Sequence, residues 1–284
     1  MENSIIIKDV QKSFDRFTLG PIDMVVPKGT IMGLIGENGA GKTTLLKCIL
    51  NSIHMNTGSI EILGKKYTDA NVKEDIGVVL DNAFFAEILK VKDINSVMKQ
   101  VYKKWDSALF LQYINNFKIP MNQTIKTLSK GMRKKLEIIT ALSHHPKLLL
   151  LDEPTSGLDP IVRSEILDIF LDFIENGENS ILLSTHITSD LDHVADYITF
   201  ISEGNLVFSK PKDELLDNYG IIKCSEKEFE TLPKEDIVRY KKNKYNYEAL
   251  TDNKARVRKT HKDLLIDKVN IEDIMLLYIK GVTK

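Results

Sequence analysis

Short aliphatic and β-branched runs alternate along the chain with stretches in which apolar residues return every three or four positions. Ile31-Met32-Gly33-Leu34-Ile35 leads into a Gly-rich turn and then into Lys42 to Leu50, which reads as strand, loop, helix. Leu45, Leu46, Cys48 and Ile49 mark the buried side of that helix. Ile76 to Leu80, Leu148 to Leu151, Ile181 to Ser184 and Ile198 to Ser202 are further apolar runs with almost no polar breaks, as expected of strands buried on both faces of a parallel sheet. The pattern predicts an α/β fold.

Between Leu80 and Leu148 the texture changes. Ile94, Val97, Met98, Val101, Tyr102 and Trp105 follow helical spacing and predict one apolar stripe, and a second helix is expected from about Ser107 to Asn116. Residues 86–145 therefore read as a helical insertion. From about Pro211 the chain becomes rich in Lys, Tyr and Asn, with strand candidates at Ile221 to Cys224 and Tyr245 to Leu250 and an amphipathic helix at Ile271 to Lys280. The expected division is a large domain over residues 1–216 and a small α+β domain over residues 217–284, with no internal repeat or low-complexity tract.

Composition narrows the classes that this pattern leaves open. The 284 residues carry 39 Lys and Arg against 40 Asp and Glu, a formal net charge of -1, and 43% are hydrophobic. A generic nucleic-acid binder would carry a basic surplus, and a disordered chain would be poorer in apolar residues. Cys48 and Cys224, with no CxxC and no His-rich spacing, argue for a reducing compartment and against a disulfide framework or a zinc site. No apolar stretch approaches the roughly 20 residues of a membrane-spanning helix, and Met1 to Val10 has no signal-like apolar core. The expectation is a cytoplasmic chain.

The chemistry is concentrated at strand ends. Gly36-Glu37-Asn38-Gly39-Ala40-Gly41-Lys42-Thr43 leaves the first strand, opens the first helix and matches G-x-x-x-x-G-K-[ST]. Glycines let successive N–H groups turn inward as an anion nest, and the helix adds its positive N-terminus. Lys42 is then in reach of β- and γ-phosphates, and the Thr43 hydroxyl of Mg²⁺. A triphosphate is the expected ligand. Leu148 to Leu151 delivers Asp152 and Glu153 at its C-terminal end, where ligands bind in open α/β sheets. Asp152 is expected to hold the Mg²⁺ shell and Glu153 to polarise the attacking water as general base. Ile181 to Ser184 leads into Thr185-His186, which puts His186 at the same edge, in reach of a γ-phosphate. His54, His144, His145, His193 and His261 are expected to be surface or packing residues.

In this order, and joined by Leu128-Ser129-Lys130-Gly131-Met132, these segments make the chain resemble the nucleotide-binding subunit of an ATP-binding cassette (ABC) transporter. The family's signature segment, usually LSGGQ, resembles Leu128 to Met132. Its D-loop resembles Ser156-Gly157-Leu158-Asp159, and its switch histidine falls on His186. The resemblance, over residues 14 to about 205, implies an ATPase with a P-loop NTPase (RecA-like) core. Such a core has a mostly parallel sheet, an antiparallel β edge and a helical insertion subdomain. It implies ATP binding by Gly36, Asn38, Gly39, Ala40, Gly41, Lys42, Thr43, Thr44 and Asp81, with Mg²⁺ held by Thr43, Asp152 and Asp81. Catalysis falls on Glu153, His186 and Lys42. Phe14 sits where the family stacks an aromatic on adenine, and Phe17 competes for that role.

Ser129 precedes an apolar-periodic helix (Leu136, Ile139, Ala141, Leu142) and reads as its N-cap. The resemblance implies that Ser129 and Gly131, with Ser156 and Asp159, meet ATP held by a second cassette in a head-to-tail twofold dimer. The sequence departs from the family pattern at Asp81, where a glutamine is usual, and at Lys130 and Met132 of the signature.

The implied partners are a separate membrane permease and a second cassette, identical or related, at the inner face of the cell membrane. Nucleic acid is not an expected partner. Asn82 to Lys92, with Phe84 and Phe85, falls where the family receives a permease helix, unless those aromatics are core. Ile76 to Asp93, Ser184 to Leu191 and Asn270 to Ile274 resemble exporter ATPases of two-component systems, some of which move antimicrobial peptides, bacteriocins or phenol-soluble modulins. Soluble ATPases of the same superfamily acting on ribosomes or DNA are the alternative, disfavoured by the short insertion without sustained heptads and by the single cassette. In the tail, Lys241, Lys242, Lys244, Arg256, Arg258 and Lys259 interleave with Tyr240, Tyr245 and Tyr247, a pattern able to touch anionic lipid headgroups or nucleic acid, but Glu226, Glu228, Glu230, Glu235 and Asp236 dilute it and a solvated or dimer-stabilising face is the expectation.

Overall fold

The structure, a computed structural model, describes residues 2–80 and 85–284. Its central sheet contains β3 (Ile31–Ile35), β6 (Ile76–Val79), β7 (Leu148–Asp152), β8 (Ser180–Thr185), β9 (Tyr197–Ser202) and β10 (Asn205–Pro211), ordered β10-β9-β3-β8-β7-β6. All neighbours are parallel except β9 and β10. Every residue of β3, β7 and β8 is buried, which is why those runs show no polar alternation. The register pairs Leu34 with Ser184 and Asp152 with Ser184, so β3, β7 and β8 end level with one another. The loops bearing Gly36, Glu153 and His186 consequently leave the sheet at one edge.

Period-two alternation divides the two faces of this sheet. Met32, Leu34, Leu148, Leu150 and Leu182 pack with Leu45, Leu46, Cys48 and Ile49 of α1 (Lys42–Ile49). The same cluster takes in a second, antiparallel sheet of β1 (Asn3–Phe14), β2 (Phe17–Pro27), β4 (Thr57–Ile62) and β5 (Lys65–Lys66). Ile31, Ile35, Leu149, Leu151, Ile181 and Leu183 face the other way, against α5 (Pro160–Ile174) and α6 (Thr188–Val194).

The insertion contains α2 (Val91–Val101), α3 (Ser107–Asn116) and α4 (Lys130–Leu142), built around Ile94, Met98, Phe110, Ile114, Leu136 and Ile139. The expected six-residue stripe needs correction. Helix α2 stops at Val101, and Val97 and Val101 are exposed. Tyr102 and Trp105 lie beyond the helix, where Tyr102 stacks on His144 at 3.9 Å and Trp105 packs on Phe110 at 5.3 Å. Tyr102 leaves the helix in an extended conformation, and Asp106 starts the next one, its carboxylate accepting the Leu109 N–H at 2.9 Å.

After β10, α7 (Lys212–Asn218) leads to a third sheet, β12-β13-β11-β14, made of β11 (Gly220–Cys224), β12 (Arg239–Lys242), β13 (Tyr247–Thr251) and β14 (Leu265–Asp267). With α8 (Glu226–Thr231) and α9 (Lys254–Thr260) it encloses its own cluster of Ile222, Phe229, Tyr247, Ala249 and Val257. The strand expected from Tyr245 begins at Tyr247 because Asn243 and Asn246 close the preceding turn. The last helix, α10 (Ile271–Lys280), is capped reciprocally by Asn270 and Asp273. Its Ile271, Ile274 and Leu277 enter the cluster of Leu191, Val194, Phe200 and Phe208, so the packing is continuous from the central sheet into the tail.

Candidate functional site

The turn from β3 into α1 requires glycine for two different reasons. A Cβ on Gly36 would lie 2.3 Å from the Ile201 carbonyl oxygen, whereas Gly39 has open space around it but sits at φ +84°. Gly41 caps α1 without any side-chain hydrogen bond, which leaves the helix's first N–H groups available to a ligand. Lys42 Nζ donates to the carbonyls of Gly36 (2.8 Å) and Glu37 (3.2 Å) and lies 3.8 Å from Glu153 Oε1. The residue is only 6% exposed. Burial pushes its pKa down, against the attraction of Glu153 and Asp152. A phosphate entering here would supply the negative charge that desolvation makes valuable.

At the end of β7, the buried carboxylate of Asp152 accepts the Thr43 hydroxyl at 2.8 Å on one oxygen and the Ser184 hydroxyl on the other. Two hard oxygen ligands, Thr43 Oγ1 and Asp152 Oδ2, thus stand one hydrogen bond apart, a donor set suited to a divalent cation such as Mg²⁺. Ser184 stands beside Asp152 although no sequence motif singles it out. Its signal was a hydroxyl ending an apolar strand, and only the register beside Asp152 gives it meaning.

Glu153 occupies the left-handed region at φ +49°, rare for a residue with a side chain and worth on the order of 1 kcal/mol of strain. Its N–H is held by the Ser184 carbonyl at 2.9 Å. Glu153 Oε2 and His186 Nδ1 are 2.7 Å apart, the carboxylate accepting from the ring N–H. Glu153 therefore stands between Lys42 and His186.

Phe17, Asn38, Gly39, Lys42, Thr43, Thr44, Asp152 and Glu153 are among the residues lining a cavity of about 250 Å³. Phe14 does not line it; the ring is 48% exposed and stacks on Phe17 at a centroid distance of 6.4 Å. A larger cavity of about 650 Å³ opens beside Lys28 and Glu178, but those charges pair with each other and it has no glycine nest.

Residues 19–156 match the model of the ABC transporter family. The chain is 34% identical over 210 residues to the lantibiotic transport ATP-binding protein SrtF of Streptococcus pyogenes, covering 73% of this chain and 90% of that one. It is 30% identical over 219 residues to the ABC transporter ATP-binding protein YtrB of Bacillus subtilis, covering 76% and 74%. The chain belongs to the ABC transporter ATP-binding proteins. This family hydrolyses ATP to power transport. A third relative, the bacitracin transport ATP-binding protein BcrA of Bacillus licheniformis, is 32% identical over 210 residues, with 72% and 67% covered. Among solved structures, an ATP-binding subunit of an ABC transporter matches with a TM-score of 0.68 over 75% of this chain and 92% of that one, at 24% identity. A cassette in its ADP conformation matches with a TM-score of 0.66 over 77% and 94%, at 21% identity. Both show the same fold.

The remaining residues of the ABC pattern lie apart from the cavity. Ser129 Oγ accepts the Met132 N–H at 3.2 Å and caps α4. Asp159 Oδ1 accepts the N–H groups of Ile161 and Val162, both at 3.1 Å, and caps α5. The two helix starts are neighbours: a Cβ on Gly131 would lie 3.1 Å from Val162, and the Lys130 ammonium reaches over Gly157. None of Ser129, Gly131 and Asp159 lines the cavity. Asp81, Asn82 and Phe84 lie outside the described residues, and Phe85 packs against the helical cluster.

Proposed function

We propose that this chain binds Mg-ATP in the cavity above β3, β7 and β8 and hydrolyses it between two head-to-tail cassettes, driving export by a separate membrane permease. The observation that carries this reading is the pair of polar chains at one sheet edge, Thr43–Asp152–Ser184 and Lys42–Glu153–His186. Lys42 and the free N–H groups of α1 bind the phosphate oxygens. Thr43 and Asp152 hold the divalent cation, which when bound withdraws charge from those oxygens. Glu153 accepts the proton of the attacking water, and His186 orients Glu153 and meets the γ-phosphate. Phe17, which lines the cavity, and Phe14, stacked on it, together offer the aromatic platform for adenine.

Ser129 and Gly131 on α4, with Asp159 on α5, form the surface that closes over the nucleotide of a second cassette. Ile161, an apolar residue 74% exposed in the first turn of α5, supports a seam there. An apolar cleft of about 280 Å³ between Leu50, Tyr67, Val78, Leu80 and Tyr102 suits a helix of the permease. No helix among the described residues is long and apolar enough to cross a membrane. The relatives named for lantibiotic and bacitracin transport favour export of peptides or amphipathic compounds.

Turnover by Glu153→Gln tests the chemistry. The variant is expected to bind Mg-ATP with near wild-type affinity while hydrolysis falls at least about a hundredfold; near-normal turnover would place the base elsewhere. Purification of the tagged chain from membranes is expected to bring down one permease. Recovery with ribosomes or DNA instead would favour the soluble alternative.

A further inference from the structure

We propose that Thr155 and Asp190 are positioning residues that tie the loop after β7 to the start of α6, and thereby hold Glu153 and His186 in register. The inference rests on the catalytic reading of Glu153 and His186 above. The Thr155 hydroxyl donates to Asp190 Oδ2 at 2.6 Å. Both residues are almost wholly buried, Thr155 at 1% and Asp190 at 2% exposed. Neither lines the ATP cavity.

Backbone hydrogen bonds connect this pair to the two site residues. On one side, the Ser156 N–H bonds the Glu153 carbonyl and the Leu158 N–H bonds the Thr155 carbonyl, both at 3.3 Å. On the other, the Asp190 N–H bonds the Ile187 carbonyl at 3.3 Å, next to His186. The ring closes through Glu153 Oε2 and His186 Nδ1 at 2.7 Å. The two links across it differ in environment. The His186 side chain is 45% exposed, so water competes for its bond to Glu153. The Thr155–Asp190 bond is buried and charge-assisted, and such bonds are roughly twice as strong as neutral ones. The buried pair is therefore the link that persists when the Glu153–His186 bond opens to admit water or phosphate.

Arg163 extends the tie. Its Nε lies 3.9 Å from Asp190 Oδ1, which offsets the buried charge, and its Nη2 donates to the Leu158 carbonyl at 3.4 Å. Arg163 stands one turn into α5, the helix that Asp159 caps. A displacement of α6 is thus transmitted to the D-loop as well as to Glu153.

The test uses the full chain and three variants: Thr155→Val, which keeps shape but loses the hydroxyl, Thr155→Ser, which keeps the hydroxyl, and Asp190→Asn. Thr155→Val is expected to lower kcat about tenfold or more while KM for ATP changes less than about twofold, because geometry rather than binding is disturbed. Thr155→Ser restores kcat to within about twofold of wild type, and Asp190→Asn falls between the two. In protein labelled with ¹⁵N-histidine, the ring signals of His186, assigned by their loss in His186→Gln, move in Thr155→Val and return in Thr155→Ser. Wild-type kcat in Thr155→Val, or unmoved His186 signals, overturns the proposal. So does a kcat loss that Thr155→Ser fails to repair, which marks a packing defect. The His186 signals report on the tie independently of turnover. Normal hydrolysis by Glu153→Gln would defeat the catalytic reading and leave this readout standing.

Discussion

Lys42, Gly39 and His144 show how single residues carry opposite demands. Lys42 is a buried cation whose neighbours in the fold are mostly dipoles, and its lowered pKa records that burial outweighs the carboxylates beside it. The glycines differ in kind, which yields a contrast measurable on purified protein. Gly39→Ala meets no atom and is expected to cost about 1 kcal/mol, from its left-handed backbone alone. Gly36→Ala meets a carbonyl at 2.3 Å and is expected to prevent soluble expression or lower Tm far more. Equal Tm losses would refute this division. His144 sits buried under Tyr102, with Nε2 on the Ile76 carbonyl at 3.1 Å, and burial holds its pKa below the ordinary 6.5. The sign follows from linkage. The unfolded histidine takes up a proton below pH 6.5 and the folded one resists it, so this stability is complete above pH 6.5 and is lost as pH falls towards the folded pKa. Melting temperature is expected to fall more steeply between about pH 6.5 and 5 in wild type than in His144→Gln.

Helix α10 is the element whose consequence reaches furthest from its own position. The tail keeps its own sheet and small cluster, yet Ile274 and Leu277 are buried with Leu191 and Val194 of α6, just beyond His186. We propose that residues 217–284 form an accessory unit docked through this helix. Truncating a buried leucine or isoleucine to alanine typically costs about 2–5 kcal/mol. Ile274→Ala is therefore expected to destabilise the cassette, seen as faster amide exchange in α6 and β9 as well as in the tail. Loss of protection confined to residues 217–284 would show instead that the tail is only loosely attached. Ser129 and Asp159 make the complementary point. Both are ordinary N-caps in the isolated chain, and their neighbouring positions give α4 and α5 a shared surface.

For the molecule as a whole, the cavity is one-sided. It has a glycine nest, an ammonium and two carboxylates, but the capped start of α4 lies elsewhere on the same chain. The dimer reading predicts that Glu153→Gln shifts from monomer to dimer on Mg-ATP addition, followed by light scattering. Adding Gly131→Asp is expected to abolish the shift while ATP still binds, because it places a negative charge where the partner's phosphate would approach. A dimer that survives Gly131→Asp, or forms without nucleotide, would refute that seam.

Much of this was legible in the residue order. Consecutive motifs such as Gly36 to Thr43 and Leu148 to Glu153 declare themselves because strand, turn and helix follow one another within a few positions. The end of α2 at Val101, the short β14 and the Lys-rich β12 were not legible, since local capping and edge pairing overrode the apolar pattern. Ser184, Thr155 and Asp190 look unremarkable in the sequence. Their partners stand far along the chain, and only the register of parallel strands and the packing of α5 and α6 bring them together. The sequence by itself determined which chemical groups the protein carries and on which kind of element, because propensity and periodicity are local. Which of those groups touch was decided only by the tertiary structure, because contact depends on the fold of the chain between them.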